Sequence, residues 1–125
     1  MKKKITIFGS TGSIGDSTLD LIKSHPEKYE IVGLTINNNY KKLIEQVNDF
    51  KPKIVSINDT RSYKKFKEIN SNKSLKVVNG NDCYDEILDY ETDIVVAAIT
   101  GSAGLMPVVK AAQKGISIAL ANKES

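Results

Sequence analysis

Ile5-Thr-Ile-Phe-Gly-Ser-Thr-Gly-Ser-Ile-Gly15 is the stretch whose reading decides the fold. Ile5 to Phe8 is a short apolar, β-rich run bounded by glycine, which predicts a buried strand. Beyond it Ile14, Leu19, Leu21 and Ile22 fall roughly on one helical face, and Pro26 requires that helix to stop before it. A strand therefore runs through a glycine turn into a helix. Gly9, Gly12 and Gly15 are spaced G-x-x-G-x-x-G, not the commoner G-x-G-x-x-G. The physics is related: glycines permit a tight turn and let backbone approach a diphosphate. The start of the helix offers unpaired N–H groups and roughly half a positive charge to an anion. Thr11 and Ser13 add hydroxyl donors. A glycine-rich turn without a ligand is the alternative; the position after the first strand favours a nucleotide.

Outward from this unit the same alternation recurs. Glu30 to Ile36 is strand-like and ends at Asn37-Asn38-Asn39, a natural turn and helix start. Leu43, Ile44, Val47 and Phe50 give the next helix an apolar stripe, and Pro52 follows its end. Lys53 to Ile57 and Leu75 to Val78 read as strands, with helices around Tyr63 to Ile69 and Cys83 to Leu88. Asp93 to Ile99 is the most apolar run and reads as a central strand buried on both faces. A helix over Leu105 to Lys114, stopped by Gly115, leads to a last strand over Ile116 to Leu120. Six strands alternating with helices predict an α/β domain: a Rossmann-like, doubly wound, mainly parallel sheet with helices on both faces. No linker, repeat or low-complexity tract divides it, so residues 1–125 read as one domain. The sequence ends directly after a strand, where the functional loops of such sheets begin. The expectation is that it is an N-terminal fragment.

Composition narrows the class. Of 125 residues, 40% are hydrophobic and 26% charged, as in ordinary globular proteins. The net charge of +3 invites a nucleic-acid reading, but the positive charge is almost all dispersed Lys, with Arg61 the single arginine. Bidentate readout of bases or phosphates favours Arg, so a solvated Lys surface is expected and no nucleic-acid partner. Cys83 is the one cysteine, which excludes a disulfide within the chain and fits a reducing, cytoplasmic setting. The apolar run after Met1-Lys-Lys-Lys4 is too short for a signal peptide, and no stretch approaches the roughly 20 apolar residues of a membrane span.

The end of the second strand separates NAD from NADP. An acidic residue there binds the ribose 2′-hydroxyl of NAD and repels a 2′-phosphate. Asn37, Asn38 and Asn39 stand there instead, able to bond a phosphate without charge repulsion. Lys41 and Lys42 follow within reach. This favours NADPH, although a plain turn with a helix cap is compatible with the same residues. Asn122, Lys123 and Glu124, after the last strand, put an amide, an ammonium and a carboxylate at the functional edge; by themselves they also fit a polar loop. Asp82, Asp85 and Glu86 read as a solvated helix face, and His25 as a surface or structural residue. No metal set and no catalytic group is expected within the chain.

The segments Gly9 to Gly15 with Ser17-Thr-Leu-Asp20, Ala97-Ala-Ile-x-Gly-x-Ala-Gly-Leu105 with Pro107, and Leu120-Ala-Asn-Lys-Glu-Ser125 together closely resemble the deoxyxylulose phosphate reductoisomerases. They match in order and span the whole chain. The resemblance implies an enzyme that rearranges a deoxyxylulose phosphate and reduces it with NADPH to methylerythritol phosphate, an early step of isoprenoid synthesis by the non-mevalonate route. It implies a divalent metal, Mg or Mn, held by acidic residues beyond position 125, and a homodimer. It implies NADPH contacts at Thr11, Gly12, Ser13, Ile14, Asn37, Asn38, Asn39, Asn122 and Glu124, with backbone near Ala98 and Ile99, and contact of Lys123 with the sugar phosphate. Some members carry a Gly and a basic residue where Asn37 and Asn38 stand, so a cation over the 2′-phosphate is missing here. The fragment alone is expected to be inactive. Two other readings fit the glycine turn: the first domain of a semialdehyde-type dehydrogenase, and a stand-alone nucleotide-sensing module.

Overall fold

The computed structural model describes residues 2–80, 83–98 and 105–120. Strands and helices alternate along them: β1 (Lys3–Phe8), α1 (Ser13–Lys23), β2 (Tyr29–Ile36), α2 (Tyr40–Phe50), β3 (Ile54–Ile57), α3 (Thr60–Ile69), β4 (Lys76–Asn79), α4 (Cys83–Leu88), β5 (Ile94–Ala97), α5 (Leu105–Gln113) and β6 (Ser117–Leu120). The six strands form one sheet in the order β4-β3-β2-β1-β5-β6, and every neighbouring pair is parallel. The chain winds outward from β1 to β4, then crosses back to β5 on the other side of β1. The strand order thus reverses between β1 and β5, which puts the crevice of the fold at their carboxyl ends.

The sheet is covered on both faces, as the six-strand alternation predicts. One face buries Ile7 and Leu34 against Leu19 and Ile22 of α1, Leu43 and Val47 of α2 and Phe66 of α3. The other buries Phe8, Ile54 and Val95 against Ile87 and Leu88 of α4 and Ala111 of α5. Phe8 is fully buried and meets Tyr84 edge-on, ring centres 5.3 Å apart. β5 is an interior strand with Val95, Val96 and Ala97 buried, but the middle of the sheet is β2 and β1.

Two expectations change, and a third gains detail. Leu21 does not join the core stripe of α1; it is 64% exposed, because it lies two residues, about 200° around the helix, from buried Leu19. α3 starts at Thr60, earlier than the apolar pattern suggests, because Asp59 caps it: the carboxylate accepts the Ser62 N–H at 3.0 Å and its hydroxyl at 2.7 Å. Asp85 and Glu86 do lie on an exposed face of α4, and that face is also paired. Both Asp85 oxygens bond Lys110 at 3.0 Å, and Glu86 reaches Lys76 at 3.3 Å, joining α4 to α5 and β4. Asp82 lies outside the described residues. The expected stop of α5 stands: Gly115 has φ +74°, a left-handed conformation suited to a helix end.

The start of α1 lies directly on the β1–α1 turn. A Cβ at Gly15 would stand 2.2 Å from the Gly9 carbonyl oxygen and 2.7 Å from the Ser10 Cα, both backbone atoms that no rotamer change can move away. Gly15→Ala is therefore expected to destabilise the full chain by about 3 kcal/mol or more, lowering its thermal midpoint by ~10 °C or more. A melt unchanged within 2–3 °C (roughly half a kcal/mol) would show that this contact does not constrain the fold.

The Asp59 cap gives a pH signature. Bonds from the Ser62 hydroxyl and N–H hold the Asp59 carboxyl below its ordinary value, helped by Arg61. A group with a lowered folded pKa stabilises above its unfolded pKa and loses that contribution as pH falls through the folded one. Wild type is thus expected to be more stable than Asp59→Ala at neutral pH, with the difference shrinking as pH drops below the usual carboxylate range. Parallel denaturation curves with a pH-independent gap would contradict this.

Candidate cofactor site

Two segments converge at the carboxyl ends of β1 and β2. Gly9 has φ +84°, a left-handed conformation that reverses the chain out of β1. Its N–H donates to Thr35, to the carbonyl at 2.9 Å and the hydroxyl at 3.0 Å, and the Ser10 N–H donates to the same carbonyl at 3.0 Å. Thr35 lies two residues before Asn37. The glycine turn and the asparagine run are thus stitched side by side by one β2 residue.

Beyond this stitch the turn opens. Thr11 is half-buried, Gly12 and Ser13 are exposed and Ile14 is half-buried. Gly12 is the N-cap of α1 and has no side chain to cap it. The first bond of the helix runs from the Asp16 N–H to the Gly12 carbonyl at 2.9 Å. The N–H groups of Ser13, Ile14 and Gly15 before it have no intrahelical partner and face the helix end. A Cβ on Gly12 would meet only the Gly9 carbonyl oxygen, at an ordinary 3.9 Å. The space over Gly12 is therefore open, whereas Gly15 is closed by packing. An uncapped helix start under open space suits the diphosphate of a nucleotide.

The three asparagines do different work. Asn39 caps α2, its side chain accepting the Lys42 N–H at 3.2 Å. The Asn37 side-chain oxygen accepts from the Asn58 amide at 3.2 Å, and its carbonyl accepts the Asp59 N–H at 2.9 Å. The Asn38 carbonyl lies 3.0 Å from the Ser62 hydroxyl and shares its one proton with the closer Asp59 carboxylate, while Asn38 itself is exposed. The ends of β2 and β3 thus form one continuous edge. Lys42, expected to reach a phosphate here, is instead 3.0 Å from Asp16 on α1. Lys41 and Arg61 are the exposed cations next to these residues in the chain, Arg61 between the two partners Asp59 and Ser62.

The Ala98 N–H donates to the Phe8 carbonyl at 2.9 Å, so the end of β5 flanks the turn from the other side. Ile99, Asn122, Lys123 and Glu124 lie outside the described residues. Sequence reasoning missed Thr35, Ser10 and Gln46. Gln46 is 4% exposed on α2 and bonds Ser10 twice: the Ser10 hydroxyl donates to its oxygen at 2.8 Å, and its amide donates to the Ser10 carbonyl at 2.8 Å. The one signal was a polar residue beside Val47 in an otherwise apolar stripe.

The opposite end of the sheet holds a groove of about 270 Å³ lined by Ile22, Pro26, Tyr29, Ile31 and Phe50. Its charges are mixed, and Lys23 and Asp49 stand 3.6 Å apart. It lies at the amino ends of the strands, away from the switch point. Among the described residues no three His, Cys, Asp or Glu side chains are grouped to hold a metal, and no helix is long and apolar enough to cross a membrane.

Comparison with known proteins bears on this site. The family model described as 1-deoxy-D-xylulose 5-phosphate reductoisomerase matches residues 5–125. The reductoisomerase of Thermoanaerobacter pseudethanolicus is 48% identical over 122 residues, covering 98% of this chain and 32% of that protein. That of Phocaeicola vulgatus is 44% identical over 126 residues, covering 100% and 33%. Among solved structures, the Zymomonas mobilis reductoisomerase in complex with NADPH matches with a TM-score of 0.89 at 37% identity, over 98% of this chain and 32% of that one. A reductoisomerase in complex with NADPH, fosmidomycin and magnesium matches with a TM-score of 0.88 at 38% identity, over 98% and 31%. The chain spans about a third of the length of these relatives. On the family match, which runs from β1 to the end of the sequence, the chain belongs to the 1-deoxy-D-xylulose 5-phosphate reductoisomerase family.

Proposed function

We propose that this chain is the NADPH-binding domain of an enzyme that isomerises and reduces 1-deoxy-D-xylulose 5-phosphate to 2-C-methyl-D-erythritol 4-phosphate. One observation carries the reading: an uncapped helix start, with open space over Gly12, lies at the switch point of a sheet whose relative is solved with NADPH. The semialdehyde dehydrogenase alternative gives way to the family match.

In this reading the backbone from Thr11 to Ile14 binds the diphosphate, with Ser13 and Thr11 hydroxyls as further donors. Asn38, whose side chain is exposed, donates to the 2′-phosphate, and Asn37 and Asn39 shape the edge beneath it. Asn122 and Glu124 complete the cofactor site, and Lys123 meets the sugar phosphate with its ammonium. NADPH, when bound, supplies the hydride for the reduction. This domain's task is to hold the cofactor at the crevice and to admit the 2′-phosphate of NADPH by leaving the strand end without a carboxylate. The divalent metal, Mg or Mn, belongs to acidic residues beyond Ser125. A homodimer in a reducing cytoplasm fits the family and the single cysteine.

Two outcomes test this. Calorimetry on the full chain is expected to give at least ~10-fold tighter binding of NADPH than NADH, the scale of one or two hydrogen bonds to a charged group. Preference for NADH would reject the strand-end assignment. Gly12→Ala is expected to keep the thermal midpoint within about 3 °C (roughly half a kcal/mol) yet weaken NADPH by ~10-fold or more, since the new methyl group occupies the open space. Unchanged affinity would place the diphosphate elsewhere.

A further inference from the structure

We propose that Gln46 is the positioning residue of the diphosphate turn, acting through Ser10 and linking it to the 2′-phosphate edge through α2. The proposal rests on the NADPH reading above. Ser10 follows the left-handed Gly9 and precedes Thr11, so its peptide sets the direction in which the open part of the turn leaves β1. Its N–H is fixed by the Thr35 carbonyl at 3.0 Å. Its hydroxyl and carbonyl are both fixed by Gln46, each at 2.8 Å. Ser10 is 0% exposed and Gln46 4%, so water is not available to replace either bond. A side-chain amide is the group this requires, because one end must accept from a hydroxyl while the other donates to a carbonyl. A carboxylate lacks the donor and an ammonium the acceptor.

Gln46 is not isolated on its helix. One turn earlier, Lys42 on α2 pairs with Asp16 on α1 at 3.0 Å, and the Lys42 N–H is the one capped by Asn39. α2 therefore begins at the asparagine edge and, two turns on, grips the glycine turn. A helix is stiff over this length, so it fixes the spacing between the two anion-binding ends of the site. Loss of the grip frees Ser10 to rotate, and the N–H groups after it lose their common aim; the asparagine edge, held separately by β3 and α3, does not.

That difference separates a positioning role from a general structural one. Wild type, Gln46→Met and Ser10→Ala in the full chain are titrated with NADPH and with adenosine 2′-phosphate, which carries the 2′-phosphate but no diphosphate. Gln46→Met keeps the side-chain length and removes both bonds. It is expected to weaken NADPH by ~10-fold or more while adenosine 2′-phosphate changes by less than about threefold. Ser10→Ala, which keeps the bond to the Ser10 carbonyl, is expected to show a smaller loss with the same selectivity. Adding it to Gln46→Met is expected to cost little more, since the two share one interaction. Equal loss of both ligands, or NADPH affinity within about twofold of wild type in a folded Gln46→Met, overturns the proposal. If Gln46→Met does not fold, Ser10→Ala decides by the same comparison. A wild-type chain that binds neither ligand rejects the NADPH reading itself, and this proposal with it.

Discussion

Gly15 sits against the Gly9 carbonyl with no room for a methyl group, and the arrangement of the candidate site depends on that contact. It lets the first turn of α1 lie on the end of β1, which aims the free N–H groups of the helix into the crevice. The other two glycines serve different ends. Gly9 supplies the left-handed backbone that starts the turn. Gly12 needs neither close packing nor unusual backbone, with φ −75° and ψ 172°, and only leaves space. One motif thus divides into a residue for the turn, a residue that leaves open space and a residue for the fold.

Buried polar groups show where the domain places specificity. Leaving a buried donor or acceptor unmade costs about 1–3 kcal/mol. Around the turn the buried polar side chains of Ser10, Gln46 and Thr35 all have partners. Within the sheet, among the described residues, the hydroxyls of Thr6 and Ser56 are buried without one. The strands tolerate that cost, while the site does not incur it. Satisfied polar contacts fix a single geometry in a way that apolar packing alone does not.

The fold was legible because its signals are local. Apolar runs, glycine stops and helical stripes each speak within a few residues, and all six strands follow from them. The errors came where a single local rule met a competitor. The start of α3 is hidden because Asp59 and Thr60 carry no apolar signal, and Leu21 fits an apolar face only when the helical phase is drawn too broadly, since it lies about 200° from Leu19. The site was only half legible for a different reason. The glycine turn and the asparagines are contiguous motifs, but the contacts that hold them are distant in sequence: Ser10 and Gln46 are 36 residues apart, Gly9 and Thr35 are 26. Proximity in sequence puts Lys42 within reach of a phosphate; its partner on α1 redirects it.

That redirection bears on the electrostatics of the site. Asp16 lies in the first turn of α1, where a carboxylate stabilises the helix through its dipole. The same charge repels any anion bound at the helix start, and at a few ångströms near a protein surface such repulsion reaches a few kcal/mol. Lys42, 3.0 Å away, opposes it. Both side chains are more than a third exposed, so the pair itself adds little to stability. Its effect falls on the proposed anion site, not on the fold: α1 keeps a favourable first turn, and the helix end stays electropositive. At the neighbouring strand end the effect is weaker: the Asp59 carboxyl that caps α3 is held chiefly by its bonds from Ser62, with the guanidinium two residues on making a minor contribution. Each carboxylate that the helices need near the proposed phosphates is thus accompanied by a cation. The chain therefore needs no arginine within Asn37 to Asn39 to keep that edge from being acidic.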